Sequence, residues 1–121
     1  MILVDTSVWI DHLRRANAAL ALALSEGEVC QHPFVTAELA LGSLAERARF
    51  IAMLAYLPPM PVVDHSRLLA FISDHRLFGT GLGMVDAHLL ASVAGESGVR
   101  LWTLDKRLFD HAKRLGCSYR P

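Results

Sequence analysis

Residues 1–15 read MILVDTSVWIDHLRR. An apolar run, Ile2-Leu3-Val4, ends on a carboxylate, Asp5, followed by two hydroxyl side chains, Thr6 and Ser7, and then by an amphipathic stretch with Trp9 and Ile10. A short continuous apolar run fits a strand buried on both faces, and the stretch behind it has helical spacing over Ser7 to Leu13. A charge is thereby delivered to the carboxyl end of a strand, at the entrance to a helix.

The alternation continues outward from there. Ala16 to Leu24 is rich in strong helix formers and Gly27 closes it. Val29-Cys30-Gln31 reads as a second short strand, and Pro33 starts a helix over Phe34 to Leu41 that stops at Gly42. Ala45 to Leu57 repeats apolar residues at helical spacing until Pro58-Pro59. Val62-Val63 reads as a third strand, with Asp64 placed to cap a helix over Ser66 to Leu77. A glycine loop, Gly79 to Gly83, feeds a helix from Met84 that stops near Gly95 to Gly98. Val99 to Thr103 is a buried strand, Lys106 to Leu115 an amphipathic helix, and Cys117-Ser118-Tyr119 a last edge strand. Strands alternating with helices predict an α/β fold with a mostly parallel central sheet flanked by helices.

Composition narrows the function classes. With 121 residues, 53% of them hydrophobic, the chain can bury one sizeable core, and a single domain over 1–121 is expected. No basic segment leads into an apolar leader, and no apolar stretch approaches a membrane span, which points to a cytoplasmic protein without membrane attachment. Cys30 and Cys117 stand apart in unlike contexts, without the close pairing of a zinc site, and read as buried or half-buried thiols. Formal charge is balanced, but Arg100, Lys106, Arg107, Lys113, Arg114 and Arg120 crowd the C-terminal stretch against Asp105 and Asp110. That tail can face an anion or simply solvate an amphipathic helix.

Four acids share one kind of place in this layout. Asp5 ends the first strand, Glu38 and Asp86 come early in helices, and Asp105 follows the last buried strand. In open α/β sheets, ligands bind outside the carboxyl ends of strands. Taken singly, Asp5 and Asp105 can be helix caps, Glu38 a solvated helix position, and Asp86 a complement to its helix dipole. Glu38 and Asp86 nevertheless sit among apolar neighbours, in TAELALG and MVDAHLLA, where a carboxylate needs a partner. Converging carboxylates repel one another, and a hard divalent cation such as Mg²⁺ or Mn²⁺ is the natural compensation.

VDTSVWID, TAELALG, GLGMVDAHLLA and LWTLDKRL, in this order and at this chain length, resemble the PIN-domain family, most closely the VapC-type toxins of bacterial toxin–antitoxin systems. The resemblance covers essentially the whole chain. It implies a PIN-like three-layer sandwich and a Mg²⁺- or Mn²⁺-dependent endoribonuclease whose catalytic and metal-binding residues are, by position, Asp5, Glu38, Asp86 and Asp105. Thr6, Ser7 and Thr103 lie beside those acids, placed to orient carboxylates or waters. Lys106 and Arg107 follow Asp105 directly and stand where they can hold RNA phosphates. Water activated at such a site leaves a 5′-phosphate and a 3′-hydroxyl. The resemblance also implies an antitoxin partner, laid into an apolar helix face such as that of Phe50, Met53 and Leu54, and self-association is expected as a two-fold homodimer.

The six histidines are scattered, with no pair at the spacing of a helical metal site. His88, two residues after Asp86, points away from it and reads as packing or substrate edge. Two other classes remain open from residues alone: a receiver- or phosphatase-like domain, which wants a second acid close beside Asp5, and a non-catalytic RNA- or protein-binding domain in which the acids are only caps.

Overall fold

The computed structural model describes residues 1–121. Its elements run β1 (Ile2–Val4), α1 (Thr6–Arg14), α2 (Ala18–Ser25), β2 (Val29–Cys30), α3 (Pro33–Leu41), α4 (Arg47–Leu54), α5 (His65–Asp74), α6 (Met84–Ala94), β3 (Arg100–Trp102) and α7 (Lys106–Arg114). The three strands form a parallel sheet in the order β2-β1-β3, with Leu3 opposite both Cys30 and Leu101 and Val4 opposite Trp102. β1 is wholly buried, as a strand flanked on both edges and both faces must be. One cluster of 22 buried residues runs through all three strands and every helix except α5, so the sheet and helices share a single core. α5 joins through a satellite cluster in which Leu68 packs on Ala87 and Ala91 of α6.

Local chemistry sets the helix boundaries. α2 starts at Ala18 rather than Ala16 because the Asn17 side chain accepts the Leu20 N–H at 3.0 Å. Asp64 caps α5 as expected, accepting the Arg67 N–H at 2.8 Å. α5 ends at Asp74, short of Leu77, where Arg76 turns to φ +54°. α4 occupies only Arg47–Leu54 of the expected 45–57 span, because Glu46 at φ +49° starts it late. Its apolar face looks inward: Leu54 is buried, Phe50 meets Trp9 edge-on at 5.7 Å, and Met53 packs on the core.

Two expected strands are not formed. Val62-Val63 pairs with nothing, and the contact with β2 comes earlier, as one bridge between Gln31 and Pro59. Pro58, Pro59 and Pro61 have no N–H to give, so only Met60 can donate, to the Gln31 carbonyl at 2.7 Å, and the ladder cannot extend. Cys117–Tyr119 likewise makes one bridge, Leu101 with Ser118.

Candidate active site

Because all strands run the same way, the carboxyl ends of β1 and β3 lie side by side, and the residues after them meet. The Asp5 N–H still donates to the Trp102 carbonyl, at 2.9 Å, which carries the ladder one step past the strand and leaves Asp5 only 6% exposed. Asp5 stands at the N-cap position of α1, yet its side chain caps nothing. Its Oδ2 instead accepts from Ser7 Oγ at 2.8 Å and from Thr103 Oγ1 at 2.7 Å. The same two hydroxyls accept backbone N–H groups, Ser7 from Leu104 at 3.0 Å and Thr103 from Asp105 at 3.0 Å. Each hydroxyl has one proton, already committed to Asp5, so their mutual 3.3 Å approach is a contact and not a further bond. Asp5 Oδ1 is left without a protein donor.

The other three acids arrive from three helices. Glu38, on α3, is exposed and accepts from Thr6 Oγ1 at 2.7 Å, which ties α3 to α1 beside Asp5. Asp86, in the first turn of α6, is half-buried and reaches back to the Gly83 N–H at a long 3.4 Å. Asp105 is exposed and does cap α7, accepting the Leu108 N–H at 3.1 Å through Oδ1. Of the two plain caps weighed from sequence, one is therefore a cap and one is not.

Burial pushes the Asp86 carboxyl above the usual aspartate range, and the negative charges of Asp5, Asp105 and Glu38 push the same way, opposed only by the Gly83 hydrogen bond. All four acids thus share one electrostatic neighbourhood. The chain's two ion pairs, Arg49 with Glu46 and Lys106 with Asp110, involve none of them. As the side chains stand, no three acids, histidines or cysteines close on a common point as an ion's ligands. Oxygen-only donors, mutual repulsion and the lack of a protein cation are the setting that a hard divalent ion fits.

The flanking residues divide. Arg107 is not free at the rim: its Nη1 donates to the Gly81 carbonyl at 3.2 Å and clasps the loop before α6. Gly81 has φ +83°, and a Cβ there would stand 2.5 Å from that guanidinium. The pairing of this loop with Arg107 was not foreseen from sequence, although GTGLG ahead of an acid-bearing helix was its signal. Lys106 is exposed and paired with Asp110 at 2.9 Å. His88 is buried and packs against Phe34 at 4.7 Å between ring centroids, as a packing residue should. His32 is fully buried, accepts the Phe34 N–H through Nδ1 at 3.0 Å, and leaves Nε2 without a partner.

Residues 2–115 match the PIN domain family. Ribonuclease VapC32 of Mycobacterium tuberculosis, in strain CDC 1551 / Oshkosh and in strain ATCC 25618 / H37Rv, is 55% identical over 108 residues, covering 89% of this chain and 87% of the relative. The family match over residues 2–115 spans all four acid-bearing segments. The chain is a member of the PIN-domain family, of the VapC type.

Proposed function

We propose that residues 1–121 act as one ribonuclease domain, a VapC-type toxin that cuts RNA phosphodiester bonds with the help of Mg²⁺ or Mn²⁺. The observation that carries this reading is the Asp86 carboxyl, destabilised as an anion first by its burial and then by Asp5, Asp105 and Glu38, and paired with no cation of the protein. The relatives add support, since both are ribonucleases by name.

Asp5, Glu38, Asp86 and Asp105 would hold the ion. When bound, it supplies a lowered pKa for water and charge neutralisation at the phosphoryl oxygens. Ser7 and Thr103 fix the Asp5 carboxylate through Oδ2, so that Oδ1 keeps one direction. Thr6 does the same for Glu38 through Oε1. Asp105 spends Oδ1 on the α7 backbone, which leaves Oδ2 for an ion. Lys106, exposed at the start of α7, would hold a phosphate, while Arg107, expected from sequence to do the same, would instead fix the loop before α6 through the Gly81 carbonyl. Asp86 must be deprotonated to serve, and its raised pKa predicts that ion binding weakens as pH falls toward that value.

The working protein is, in this reading, a cytoplasmic homodimer held inactive by an antitoxin; no helix is long and apolar enough to cross a membrane. Purified protein and single-stranded RNA test the core claim. Cleavage with Mn²⁺ that leaves 5′-phosphate and 3′-hydroxyl ends and stops in EDTA is expected; cleavage that continues in EDTA, or ends in a cyclic phosphate, would overturn it.

A further inference from the structure

A groove of about 340 Å³ opens at the carboxyl end of β3. Trp102, Phe109 and Tyr119 line it together with Lys106 and Arg120, and Thr103 stands in its wall. No acidic side chain lines it. Its volume lies at the small end of the range for small-molecule sites.

The surfaces are flat and cationic. The Arg120 guanidinium lies over the Phe109 ring, 4.3 Å from its centroid, and Tyr119 meets Trp102 edge-on at 5.2 Å. A guanidinium already stacked on an aromatic ring presents its other face as a second flat surface. Lys106 contributes an ammonium whose pair with Asp110 is solvent-exposed and readily exchanged for a phosphate. Flat stacking faces with cations and no acid suit a planar aromatic ligand carrying negative charge. A base within a duplex cannot offer its face, so the ligand is an unpaired nucleotide.

The wall fixes where that nucleotide sits. Thr103, one of the groove's lining residues, donates through Oγ1 to Asp5 Oδ2 at 2.7 Å, so the groove and the acid cluster have one residue in common. We propose that the groove is a nucleobase subsite, which takes one unpaired base of the RNA strand next to the bond being cut. Arg120 and Phe109 provide the stacking face, and Lys106 contacts that nucleotide's phosphate. The inference rests on the ribonuclease reading for the identity of the strand. It also singles out Phe109, Tyr119 and Arg120, whose sequence signal was aromatics interleaved with cations after Asp105.

The test uses the full chain, the variants Arg120→Ala and Phe109→Leu, and a short fluorescent single-stranded RNA carrying an abasic ribose at each position in turn. Arg120 is exposed and Leu keeps the apolar volume of Phe109, so both variants should fold. Anisotropy in EDTA reads binding without cleavage, and cleavage with Mn²⁺ reads the acid cluster separately. One abasic position should weaken binding to the unaltered protein by about tenfold, and the same position should cost little in either variant. Equal losses in all three proteins, or no sensitive position, would overturn the subsite even if cleavage proceeds. Base-dependent binding that the variants lose, in a protein that never cleaves, would support the subsite while refuting the nuclease. Variants that bind and cut RNA normally but escape inhibition by a co-expressed antitoxin would assign the groove to a peptide and overturn the proposal.

Discussion

The two ends of the sheet carry opposite chemistry. At the amino end lies a cavity of about 530 Å³, with Arg67, His75, Glu96 and Arg100 among its lining residues. Two cations at that end have carbonyl partners: Arg100 Nη1 donates to the Ser118 carbonyl at 3.2 Å, and Arg114 Nη2 donates to the carbonyl of His75, the residue that ends α5, at 3.0 Å. The Arg114 guanidinium on the His75 carbonyl is what the unsatisfied carbonyls and the negative pole of α5 ask for. At the carboxyl end four carboxylates meet the N-terminal regions of α1, α6 and α7. Each helix pole offsets only about half an elementary charge, so three fall well short of four anions. Unbalanced charge, and not the larger hollow, marks the end to which the proposed chemistry is assigned.

The contrast can be broken most directly by exchanging charge at each end. Asp86→Asn should lower cleavage by a hundredfold or more, about 10² being the scale for losing a charged group at a reacting site. The same variant should melt a few degrees higher than the unaltered chain without metal, about what 1 kcal/mol achieves in a domain of this size. Arg100→Ala, at the amino end, should keep its cleavage rate and melt lower. An Asp86→Asn protein that is less stable, or an inactive Arg100→Ala, would erase the distinction.

A second substitution sharpens it at the loop. Gly81→Ala strains a left-handed backbone and makes the Arg107 guanidinium give way, and about 1–3 kcal/mol of destabilisation is expected, from the backbone. Cleavage should fall with it, because the loop sets the start of α6 and so the position of Asp86. Thermal unfolding and cleavage rates together check this; a drop in stability alone would separate the loop from the site.

The smallest effect concerns acid. Burial, with His88 adding to it, pushes His32 down to about 4 from an ordinary value of 6.5, so it stays neutral in the fold. The unfolded chain takes up that proton first, and stability is lost as pH falls from about 6.5 toward about 4. Asp86 acts the other way: its raised pKa means that repulsion is relieved as pH falls through that value. His32→Asn keeps an acceptor for the Phe34 N–H and removes the titrating ring. Its melting midpoint should decline less than the unaltered chain's over that window, by a few degrees at most. An equal decline would assign acid sensitivity to other groups.

Much of this was legible in the sequence, for reasons specific to each element. β1 could be read because a doubly buried parallel strand must be apolar throughout, and the start of α5 because Asp64 sits where a cap must. The positions of Asp5, Glu38, Asp86 and Asp105 within the layout were legible through their order along the chain. Val62-Val63 looked like a strand because propensity is local, whereas pairing depends on a neighbour with N–H groups at the right register; the prolines beside it remove them. Whether an acid after a strand caps its helix was equally hidden. Asp105 caps and Asp5 does not, since the alternative donors of Asp5 include Thr103, separated from it by 98 positions. The C-terminal groove was illegible as a site because it needs Tyr119 and Arg120 brought back beside α7, a long-range outcome.

The central place of β1 has a consequence for synthesis. β1 is made earliest of the three strands but sits between partners made at very different times, β2 within the first quarter of the chain and β3 near its end. At translation speeds of about 5–20 residues per second, several seconds pass before β3 exists to pair with β1. Until then Asp5 lacks both the Trp102 carbonyl that fixes its backbone and the Thr103 hydroxyl that holds its carboxylate. A nascent chain on the ribosome, surrounded by RNA, therefore carries the first of the four proposed metal-binding carboxylates in an unfinished setting. The last strand to be made is also the arming step.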